Sequence, residues 1–371
     1  MIKLIHVITD TNIGGAGVWV LNFLKAFDRK KYDVGVALPT DSLLIPRIKE
    51  SGINVYEIPD IADKSFSKEG ISEFIKLFKK IKPDIVHCHA SLSARIASKL
   101  LGIKTVNTRH CLEEKKSGIK KALYSFINNR LSDIVIGVSK ATCDNLLECG
   151  TKSKKVRLIY NGVEPLKEYS QDEKREIRKE FGIDEDNIVV GIVARLEKEK
   201  NHDMFLKAGK ILLDKYDNVT LFIAGEGTRR KELENMADEL GIFERTVFCG
   251  YQKDVSRIMN IIDINCLTSP KEALSLSLIE GMTIGKASVS TKSGGPCEVI
   301  EDGVTGLLSD NDTEEFARKA SYYICDFSKR EKAGQKGRER SAKVFSIEKM
   351  ISELDKVYME LLKGDSKNED N

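Results

Sequence analysis

Residues 1–17, MIKLIHVITDTNIGGAG, combine a strand-like run, a loop with three glycines and the approach to a helical pattern. The run Lys3–Thr9 is mostly apolar, which is typical of a strand in a parallel sheet covered on both faces. The loop Asn12–Gly17 follows it, and the stretch Val18–Phe27 has a helical pattern. A strand, a loop and a helix in this order predict the first βα unit of a parallel sheet.

The same alternation continues along the chain and restarts in its second half. Helical stretches such as Ile71–Ile81 and Leu92–Leu101 lie between the strands. We therefore predict an α/β protein with two Rossmann-like domains that face a central cleft, with ligands bound at loops that follow strands. The remaining predicted strands are Val34–Leu38, Val55–Ile58, Asp84–His89, Thr105–Arg109 and Ile134–Val138, then Ile188–Val193, Val219–Ala224, Thr246–Phe248, Ile264–Leu267 and Ala287–Ser290.

The boundary between the domains is predicted near residues 161–165, Asn-Gly-Val-Glu-Pro, because glycine and then proline close a strand there. The charged helix Asp172–Phe181 follows. The first domain then covers residues 1–165 and the second covers residues 166–345. Residues 346–371 are predicted to contribute a helix, Ile347–Leu362, that packs back on the first domain, followed by a disordered polar tail at Ser366–Asn371.

The charge is distributed unevenly between the two halves. The 371 residues include 60 Lys and Arg against 57 Asp and Glu, a net charge of +3. This excludes a nucleic-acid binder driven by bulk charge and an acidic disordered protein. Residues 1–165 nevertheless carry 27 basic and 17 acidic residues, and the remainder carries 33 and 40. The first half, with a net charge of +10, is expected to meet an anionic partner, the alternative being an uneven solvated surface.

The sequence predicts a cytoplasmic protein without a metal site. No segment approaches the about 20 apolar residues needed to span a bilayer, and residues 1–15 do not resemble a signal peptide. The eight cysteines are scattered without a CxxC pair, as expected of reduced thiols. On a strand, His87 and His89 point to one face and Cys88 to the other. Because no further ligand cluster accompanies them in the sequence, metal binding is not expected.

Two of the loops that follow strands suit a phosphorylated ligand. The glycines of Asn12–Gly17 would let a ligand approach the N-terminus of a helix, although the GxGxxG pattern is absent and a tight turn explains the loop as well. Arg195 and Lys200 display two cations after the strand Ile188–Val193, and such groups suit a pyrophosphate. The alternative for this second loop is a solvated charged segment.

A third loop, SPKEALSLSLIEGM at residues 269–282, follows the strand Ile264–Leu267. A helix is predicted to begin near Ser275, and its free N–H groups would accept a phosphate. Glu272 then lies in the loop and Glu280 more than one turn into the helix, where both carboxylates could accept hydrogen bonds from sugar hydroxyls. Ordinary surface charge is the alternative, but Glu280 sits in an apolar run where an unneeded charge is costly.

Taken together, these motifs resemble the retaining glycosyltransferases of family 4, which have the two-domain GT-B fold. The resemblance covers most of the chain, and the joint order of its motifs is far more specific than any one of them. The matching segments are Gly14-Gly15, Asn161-Gly162-Val163, Arg195 to Lys200, Gly225-Glu226-Gly227, Gly250, Glu272 to Glu280, Gly294-Gly295 with Glu298, and Thr305-Gly306.

The resemblance implies a retaining, metal-independent transfer of a sugar from a nucleotide-sugar donor, UDP-linked by expectation, without a cofactor. Domain 1–165 would face the acceptor and domain 166–345 would bind the donor. The residues implied to be catalytic are Arg195 and Lys200 at the diphosphate, Glu272 near the reacting carbon, and His110 near the donor sugar. Those implied to bind the donor are Gly14, Gly15, Gly225, Gly250, Tyr251, Gln252, Ser275, Leu276, Ser277 and Glu280, with Asn161 on the acceptor side.

The acceptor is expected to be a glycan or a lipid-linked molecule used in the synthesis of a cell-surface polysaccharide or glycoconjugate. A nucleotide-sugar 2-epimerase of the same fold and a non-catalytic relative that binds a partner are the alternatives. The chain departs from the family pattern at Ala273 and Ser275, where glycines are usual, and at Gly281, where alanine is usual. Asn201 also replaces a common glycine after Lys200. These departures leave the charged groups in place but alter the backbone near the donor sugar.

A further candidate site lies in the basic half. Residues 112–127 mix lysines with apolar residues at helical spacing. Such a helix can lie on an anionic membrane surface, as in relatives with lipid-linked acceptors, which would place the protein at the inner face of the membrane. The alternative is an amphipathic helix whose apolar face packs on the core and whose lysines are solvated.

Overall fold

The computed structural model describes residues 1–363 in two compact units. Among the described residues, the first unit comprises Met1–Gly162 and residues 346–363, and the second comprises Val163–Phe345. The division falls three residues before the end of the predicted first domain, and the C-terminal helix belongs to the first unit. The predicted disordered tail, Ser366–Asn371, lies outside the described residues.

The first unit is built on a parallel sheet whose seven described strands are β1 Ile2–Ile8, β2 Tyr32–Pro39, β3 Asn54–Ile58, β4 Ile85–His89, β5 Lys104–Arg109, β6 Ile134–Gly137 and β7 Val156–Leu158. Their order is β3-β2-β1-β4-β5-β6-β7. The connecting helices are α1 Gly15–Ala26, α2 Ile45–Glu50, α3 Lys68–Ile81, α4 Leu92–Leu100, α5 Gly118–Leu131 and α6 Lys140–Glu148. Chain order reverses direction between β1 and β4, so loops after these strands flank a switch point where ligands bind in such sheets.

The second unit repeats this plan with the described strands β8 Ile188–Val193, β9 Val219–Ala224, β10 Thr246–Gly250, β11 Ile264–Leu267, β12 Ala287–Thr291 and β13 Gly306–Ser309. Their order is β10-β9-β8-β11-β12-β13, and every pair is parallel. Its helices are α7 Gln171–Glu180, α8 His202–Lys215, α9 Arg230–Glu239, α10 Val255–Ile261, α11 Leu276–Thr283, α12 Pro296–Val299, α13 Thr313–Ile324 and α14 Phe327–Val344. The switch point of this sheet lies between β8 and β11.

The last described helix, α15 Ile347–Lys363, completes the core of the first unit. Its Tyr358 and Leu354 are buried with Trp19 and Phe23 of α1 on one face of the sheet. Gly162 makes room for its start, because a Cβ there would lie 2.6 Å from the Cα of Ile347. Burial of this apolar face, rather than helix propensity, is what fixes such a helix in place.

Two short strands and the longest helix of the second unit are among the elements that were not predicted from the sequence. The strands β7 and β13 lie at the edges of their sheets and are only three and four residues long. The helix α14 buries Ala333, Gly334, Gly337 and Ser341. A Cβ on Gly334 would come within 1.9 Å of the carbonyl oxygen of Gly285, so small residues let this helix approach closely. Such a face gives no apolar periodicity in the sequence.

Candidate functional site

The carboxyl ends of β8 and β11 carry the two charged residues that lie closest together in the predicted donor site. The Nζ atom of Lys200 lies 2.5 Å from Oε2 of Glu272, and both side chains are largely buried, at 19% and 14% exposed. The hydroxyl of Thr268 also donates a hydrogen bond to the carbonyl oxygen of Lys200 at 2.9 Å. The loops after β8 and β11 therefore form one connected surface at the switch point of the second sheet.

Asn201 explains how Lys200 is held in that position. It has φ 51° and ψ 49°, the left-handed conformation, and it caps the N-terminus of α8. Asparagine tolerates this conformation better than other non-glycine residues. The departure from the family's usual glycine after Lys200 therefore keeps the local backbone geometry.

Glycines allow the neighbouring loops to pack without side chains between them. Gly225, after β9, has φ 145°, and a Cβ there would lie 1.9 Å from the carbonyl oxygen of Ala194. A Cβ on Gly295 would lie 2.0 Å from the carbonyl oxygen of Ala273. Glu272 itself is fixed through its backbone, because its N–H donates to the carbonyl oxygen of Ser293 and its own carbonyl accepts from the N–H of Gly295. These hydrogen bonds fix the backbone of Glu272 against the loop that follows β12.

The helix α11 begins at the expected position, with Ser275 as its N-cap. The Ser275 hydroxyl accepts a hydrogen bond from the N–H of Leu278 and lies 3.2 Å from the hydroxyl of Ser277. Serine is among the residues preferred at an N-cap, which accounts for the departure from glycine at this position. Leu276 opens the helix and is half-buried. The positive end of the helix dipole is thus displayed beside Glu272 in the chain, where an anion would be favoured.

Glu280 lies on α11 among fully buried neighbours, including Leu278, Ile279 and Met282. Within residues 1–363 its carboxylate makes no hydrogen bond or ion pair. Burial raises the pKa of the Glu280 carboxyl to about 7. The residue as a whole is partly exposed, so a ligand can reach it. A carboxylate with a raised pKa and no protein partner is typical of a functional site, because a bound hydroxyl group would donate hydrogen bonds to it.

The remaining donor-side residues lie on loops of the same unit. Arg195 is 62% exposed at its side chain and pairs with Glu199 at 2.8 Å, so its guanidinium stays close to solvent. Gly250 ends β10 with φ 73°. Tyr251 is 58% exposed, and the side-chain amide of Gln252 donates to the carbonyl oxygen of Cys249 at 2.8 Å. The structure places Gly250, Tyr251 and Gln252 after β10, two strands from β8 in the sheet.

In the first unit, the predicted glycine loop leads directly into α1. Gly14 is the N-cap of this helix, and no side chain there accepts a hydrogen bond from the N–H groups of the first turn. A Cβ on Gly15 would meet nothing within 4 Å, and one on Gly14 would meet only Oδ2 of Asp10 at 3.9 Å. Packing of the protein therefore does not require these glycines. The space that they leave at a helix N-terminus is suited to an anionic ligand.

His110 follows β5 and belongs to a cluster that the sequence did not reveal. Its Nε2 atom lies 2.8 Å from Nδ1 of His89, and Nε2 of His89 lies 3.1 Å from Nδ1 of His6. His6 was not among the candidate residues. It aligns with His87 in the pairing of β1 with β4, a register that the sequence alone does not give. The sequence pointed to His6 only as a single histidine inside an otherwise apolar predicted strand.

His6, His87 and His89 also have ligand atoms within 4.8 Å of one another, a spacing that could hold a metal ion. Both ring nitrogens of His87, however, already have partners. Nδ1 lies 2.6 Å from the Tyr358 hydroxyl and Nε2 lies 2.7 Å from the Thr108 hydroxyl. A metal would have to displace one of these hydrogen bonds. The sequence expectation that the protein has no metal site therefore stays an expectation.

Asn161, predicted on the acceptor side, is 4% exposed at the end of the first unit. Its side-chain oxygen is buried, and within residues 1–363 it has no hydrogen-bond partner. The adjacent Gly162 accepts a hydrogen bond at its carbonyl oxygen from the side chain of Asn22. The structure thus places Asn161 beside the α1–α15 core and leaves its contact with an acceptor as a prediction.

The segment 112–127 contributes most of α5, and three of its large apolar side chains do not pack on the core. Ile119 is 88% exposed, Leu123 58% and Phe126 61%, and among the described residues of this helix only Asn128 is buried. The interpretation of a core-facing apolar stripe is therefore wrong for these residues. No helix within residues 1–363 is both long and apolar enough to cross a bilayer.

Comparison with known proteins gives the same assignment for both units. Residues 13–166 match the model of Glycosyltransferase Family 4, and residues 173–340 match that of Glycosyl transferases group 1. The chain is 26% identical over 303 residues to the N-acetyl-alpha-D-glucosaminyl L-malate synthase of Bacillus anthracis, covering 79% of each. It is 23% identical over 381 residues to the UDP-Gal:alpha-D-GlcNAc-diphosphoundecaprenol alpha-1,3-galactosyltransferase of Escherichia coli, covering 97% of each.

The fold is also similar to a solved structure. It matches the crystal structure of Anabaena Alr3699/HepE in complex with UDP-glucose with a TM-score of 0.87, at 21% sequence identity, over 97% of this chain and 100% of that one. Two parallel-sheet, Rossmann-like units and the agreement with this structure confirm the predicted GT-B fold. With a matching model on each unit, the chain belongs to the group 1 glycosyltransferases, with the family 4 type of N-terminal half.

Proposed function

We propose that the protein is a retaining glycosyltransferase that moves a sugar from a nucleoside-diphosphate sugar to a glycan or lipid-linked acceptor in the synthesis of a surface polysaccharide or glycoconjugate. The observation that carries the proposal is the contact between Lys200 and Glu272 at the switch point of the second sheet, beside the N-terminus of α11. This arrangement offers a cation and helix N–H groups to a diphosphate and a carboxylate to the sugar.

A uridine diphosphate donor is the first candidate. The relative from Escherichia coli is named for UDP-Gal, and HepE was crystallised with UDP-glucose. In our proposal Glu280 accepts hydrogen bonds from the ribose hydroxyls, and Tyr251 and Gln252 lie near the base. The carboxylate of Glu280 supports this role, because it is only partly exposed among apolar neighbours and makes no hydrogen bond or ion pair within residues 1–363, so a ligand hydroxyl would give it a partner.

The proposed reaction needs no nucleophile from the protein. The bond between the anomeric carbon and the phosphate oxygen breaks, and the acceptor oxygen forms its bond to the same face of that carbon. The acceptor proton passes to an oxygen of the departing diphosphate. Lys200, Arg195 and the N–H groups at the start of α11 stabilise the charge that the leaving group gains. Glu272 lies where it would stabilise a positive anomeric centre. In this scheme the positive charge at the diphosphate comes from the protein, which is why we propose metal-independent transfer.

The α5 surface, defined by Ile119, Leu123 and Phe126, supports a membrane-associated acceptor. Lys115, Lys120 and Lys121 are exposed alongside these apolar side chains. A helix with exposed apolar residues and neighbouring lysines can bury its apolar side chains at an anionic lipid surface while the lysines meet the headgroups. We propose that the first unit is a peripheral membrane module on the cytoplasmic face, where a lipid-linked acceptor would be found.

Thermal unfolding with a panel of nucleotides and nucleotide sugars tests the proposed donor. A ligand that binds only the folded state stabilises it by about 2.7 kcal/mol at one hundred times its dissociation constant. We expect a diphosphate nucleotide and its sugar derivative to raise the melting temperature and a matched monophosphate to have a smaller effect. The best donor should then release its nucleoside diphosphate slowly in water. If no nucleotide sugar stabilises the chain or is hydrolysed, the proposed function is wrong.

A further inference from the structure

Three histidines form a hydrogen-bonded row along the carboxyl ends of β1, β4 and β5. Nδ1 of His6 lies 3.1 Å from Nε2 of His89, and Nδ1 of His89 lies 2.8 Å from Nε2 of His110. Neighbouring rings in the row have centroids 5.4 Å and 5.1 Å apart and are nearly parallel, at 23° and 29°. At each contact one ring must donate a proton and the other must accept.

All three rings are neutral near pH 7. Burial lowers the pKa of His6 to about 3, and burial together with the charge of Arg109 lowers the pKa of His110 to about 3. Burial and the neighbouring histidines lower the pKa of His89 well below its ordinary value. A neutral imidazole carries one N–H and one lone pair. The row therefore has two consistent arrangements: either all three rings carry the proton on Nδ1, or all three carry it on Nε2.

The two arrangements differ at the ends of the row. Nε2 of His6 and Nδ1 of His110 are both buried, and within residues 1–363 neither has a hydrogen-bond partner. The His6 end is packed by aromatic rings, with the centroids of Phe23 and Trp19 at 4.5 Å and 5.8 Å. When the proton is on Nδ1, the unmatched N–H is at His110, where the family resemblance implies a substrate. The unmatched lone pair is then at His6, and an orphaned acceptor is less unusual than an orphaned donor.

We propose that His6 and His89 are positioning residues, which hold His110 as a neutral ring with its proton on Nδ1 so that it donates a hydrogen bond to an oxygen of the bound substrate. The inference rests on the proposed role of His110 beside the donor sugar. It assigns to this reaction two buried histidines that touch no ligand. Neither is expected to exchange protons with solvent, because both rings are buried, at 0% and 2% exposed.

The neighbouring His87 provides a matched control. It lies on the same strand and the same face as His89, but its two nitrogens are bound to Tyr358 and Thr108, outside the row. The His87 ring also packs on the rings of His6 and His89, with centroids 4.9 Å and 4.7 Å away. Replacement of His87 therefore removes a buried ring of the same chemistry and its packing but breaks no hydrogen bond of the row. Effects of lost packing and stability are therefore expected in both His87→Gln and His89→Gln, whereas loss of the hydrogen bond that fixes the tautomer of His110 is expected in His89→Gln alone.

Nuclear magnetic resonance of the full chain labelled with ¹⁵N-histidine tests the tautomers directly. The protein has five histidines, so single Gln substitutions assign each pair of ring nitrogens. We expect His6, His89 and His110 of the wild type to be neutral and protonated on Nδ1 at pH 7 with nucleotide sugar bound. In His89→Gln, His110 should no longer have a single tautomer, whereas in His87→Gln it should. A wild-type His110 that is protonated on Nε2 or on both nitrogens would overturn the inference.

Donor hydrolysis by the same variants provides the second readout. His89→Gln should lower kcat by roughly tenfold to hundredfold with little change in KM, and His87→Gln should retain most of kcat. Equal loss in the two variants, or full kcat in His89→Gln, contradicts a positioning role. Recovery of one equivalent of a transition metal with the purified wild type would also contradict it, because the metal would occupy the lone pairs. If the wild type hydrolyses no donor, the proposed function fails. The NMR spectrum of the wild type still shows which ring nitrogen of His110 carries the proton, so the inference is tested separately.

Discussion

The ammonium group of Lys200 lies 2.5 Å from the carboxylate of Glu272. The pair joins the loops after β8 and β11, and both side chains are largely buried. A diphosphate that binds Lys200 must therefore compete with Glu272 or share the cation with it. Experiments can therefore separate the two residues. Lys200 should favour binding of a nucleoside diphosphate that carries no sugar, and Glu272 should oppose it.

Replacement of Glu272 should therefore divide binding from turnover. In Glu272→Gln the carboxylate that competes for Lys200 is absent, so a nucleoside diphosphate should bind about two- to fivefold more tightly, as expected for loss of a partly exposed ion pair. Donor hydrolysis should nevertheless fall, because the charge near the reacting carbon is lost. Titration calorimetry with the diphosphate measures the first effect. The exposed Glu176→Gln on α7, which is remote from both cations in the chain, is the control. Weaker diphosphate binding by Glu272→Gln would contradict the competition.

Glu280 should destabilise the ligand-free protein as the pH rises. Its pKa is raised from 4.5 to about 7 in the folded chain, so between these values the folded state binds a proton that the unfolded state lacks. Stability from this group is present below about pH 4.5 and is lost as the pH rises to about 7. Glu280→Gln should therefore gain about 2 kcal/mol of unfolding free energy at pH 8 and little at pH 4.5.

Urea unfolding at the two pH values measures this gain, and the exposed Glu176→Gln on α7 serves as a control. The same Glu280 variant should bind nucleotide at least tenfold more weakly, because an uncharged amide accepts hydrogen bonds less strongly than a carboxylate. A Glu280→Gln protein that is destabilised at pH 8, or that binds nucleotide as the wild type does, would be inconsistent with a carboxylate kept for a ligand.

Two glycines should respond in opposite ways to the same substitution. Gly225→Ala places a Cβ 1.9 Å from the carbonyl oxygen of Ala194 at a φ of 145°, so it should cost about 2–4 kcal/mol of stability. Gly15→Ala meets nothing within 4 Å and should leave stability unchanged or slightly raised, since alanine favours a helix. Donor affinity should fall in Gly15→Ala if its open space receives the diphosphate. Thermal unfolding and nucleotide titration of both variants separate the two roles.

The α5 surface should bind anionic lipid. Sedimentation with vesicles that contain phosphatidylglycerol should recover the wild type at low salt, and added salt should release part of it. Ile119→Ser with Phe126→Ser should abolish sedimentation without loss of stability, because both side chains are exposed. Exposed Leu100→Ser, on α4 of the same unit, is a control for general surface hydrophobicity. Absence of binding by the wild type at low salt would remove the membrane proposal.

Central strands could be predicted from the sequence because burial on both faces produces continuous apolar runs. The predicted and observed limits of Ile188–Val193, Val219–Ala224 and Ile264–Leu267 coincide. Edge strand β7, with the sequence Val-Arg-Leu, lacks such a run. Helix α14 was missed for a different reason, since its buried face consists of alanine, glycine and serine. In α14, close approach of the backbone replaces the apolar periodicity on which prediction depends.

The candidate site could be predicted where the chemistry is local in sequence. Ser275 as a helix cap and Glu280 in an apolar run are both signals within a few residues. The contact between Lys200 and Glu272 spans 72 positions, and the row of His6, His89 and His110 depends on the pairing of three strands. These contacts depend on the order and register of the strands, which could not be predicted from the pattern of a single sequence.

The rate of nucleoside diphosphate release by Lys200→Ala, relative to the wild type and at saturating donor, tests the central claim most directly. Because Lys200 would stabilise charge that appears on the leaving group, its loss should lower kcat by at least a hundredfold, about 2.7 kcal/mol of transition-state stabilisation. Exposed Lys198→Ala, in the same turn, should retain wild-type turnover. A stable Lys200→Ala protein that turns over the donor at the wild-type rate would contradict the account.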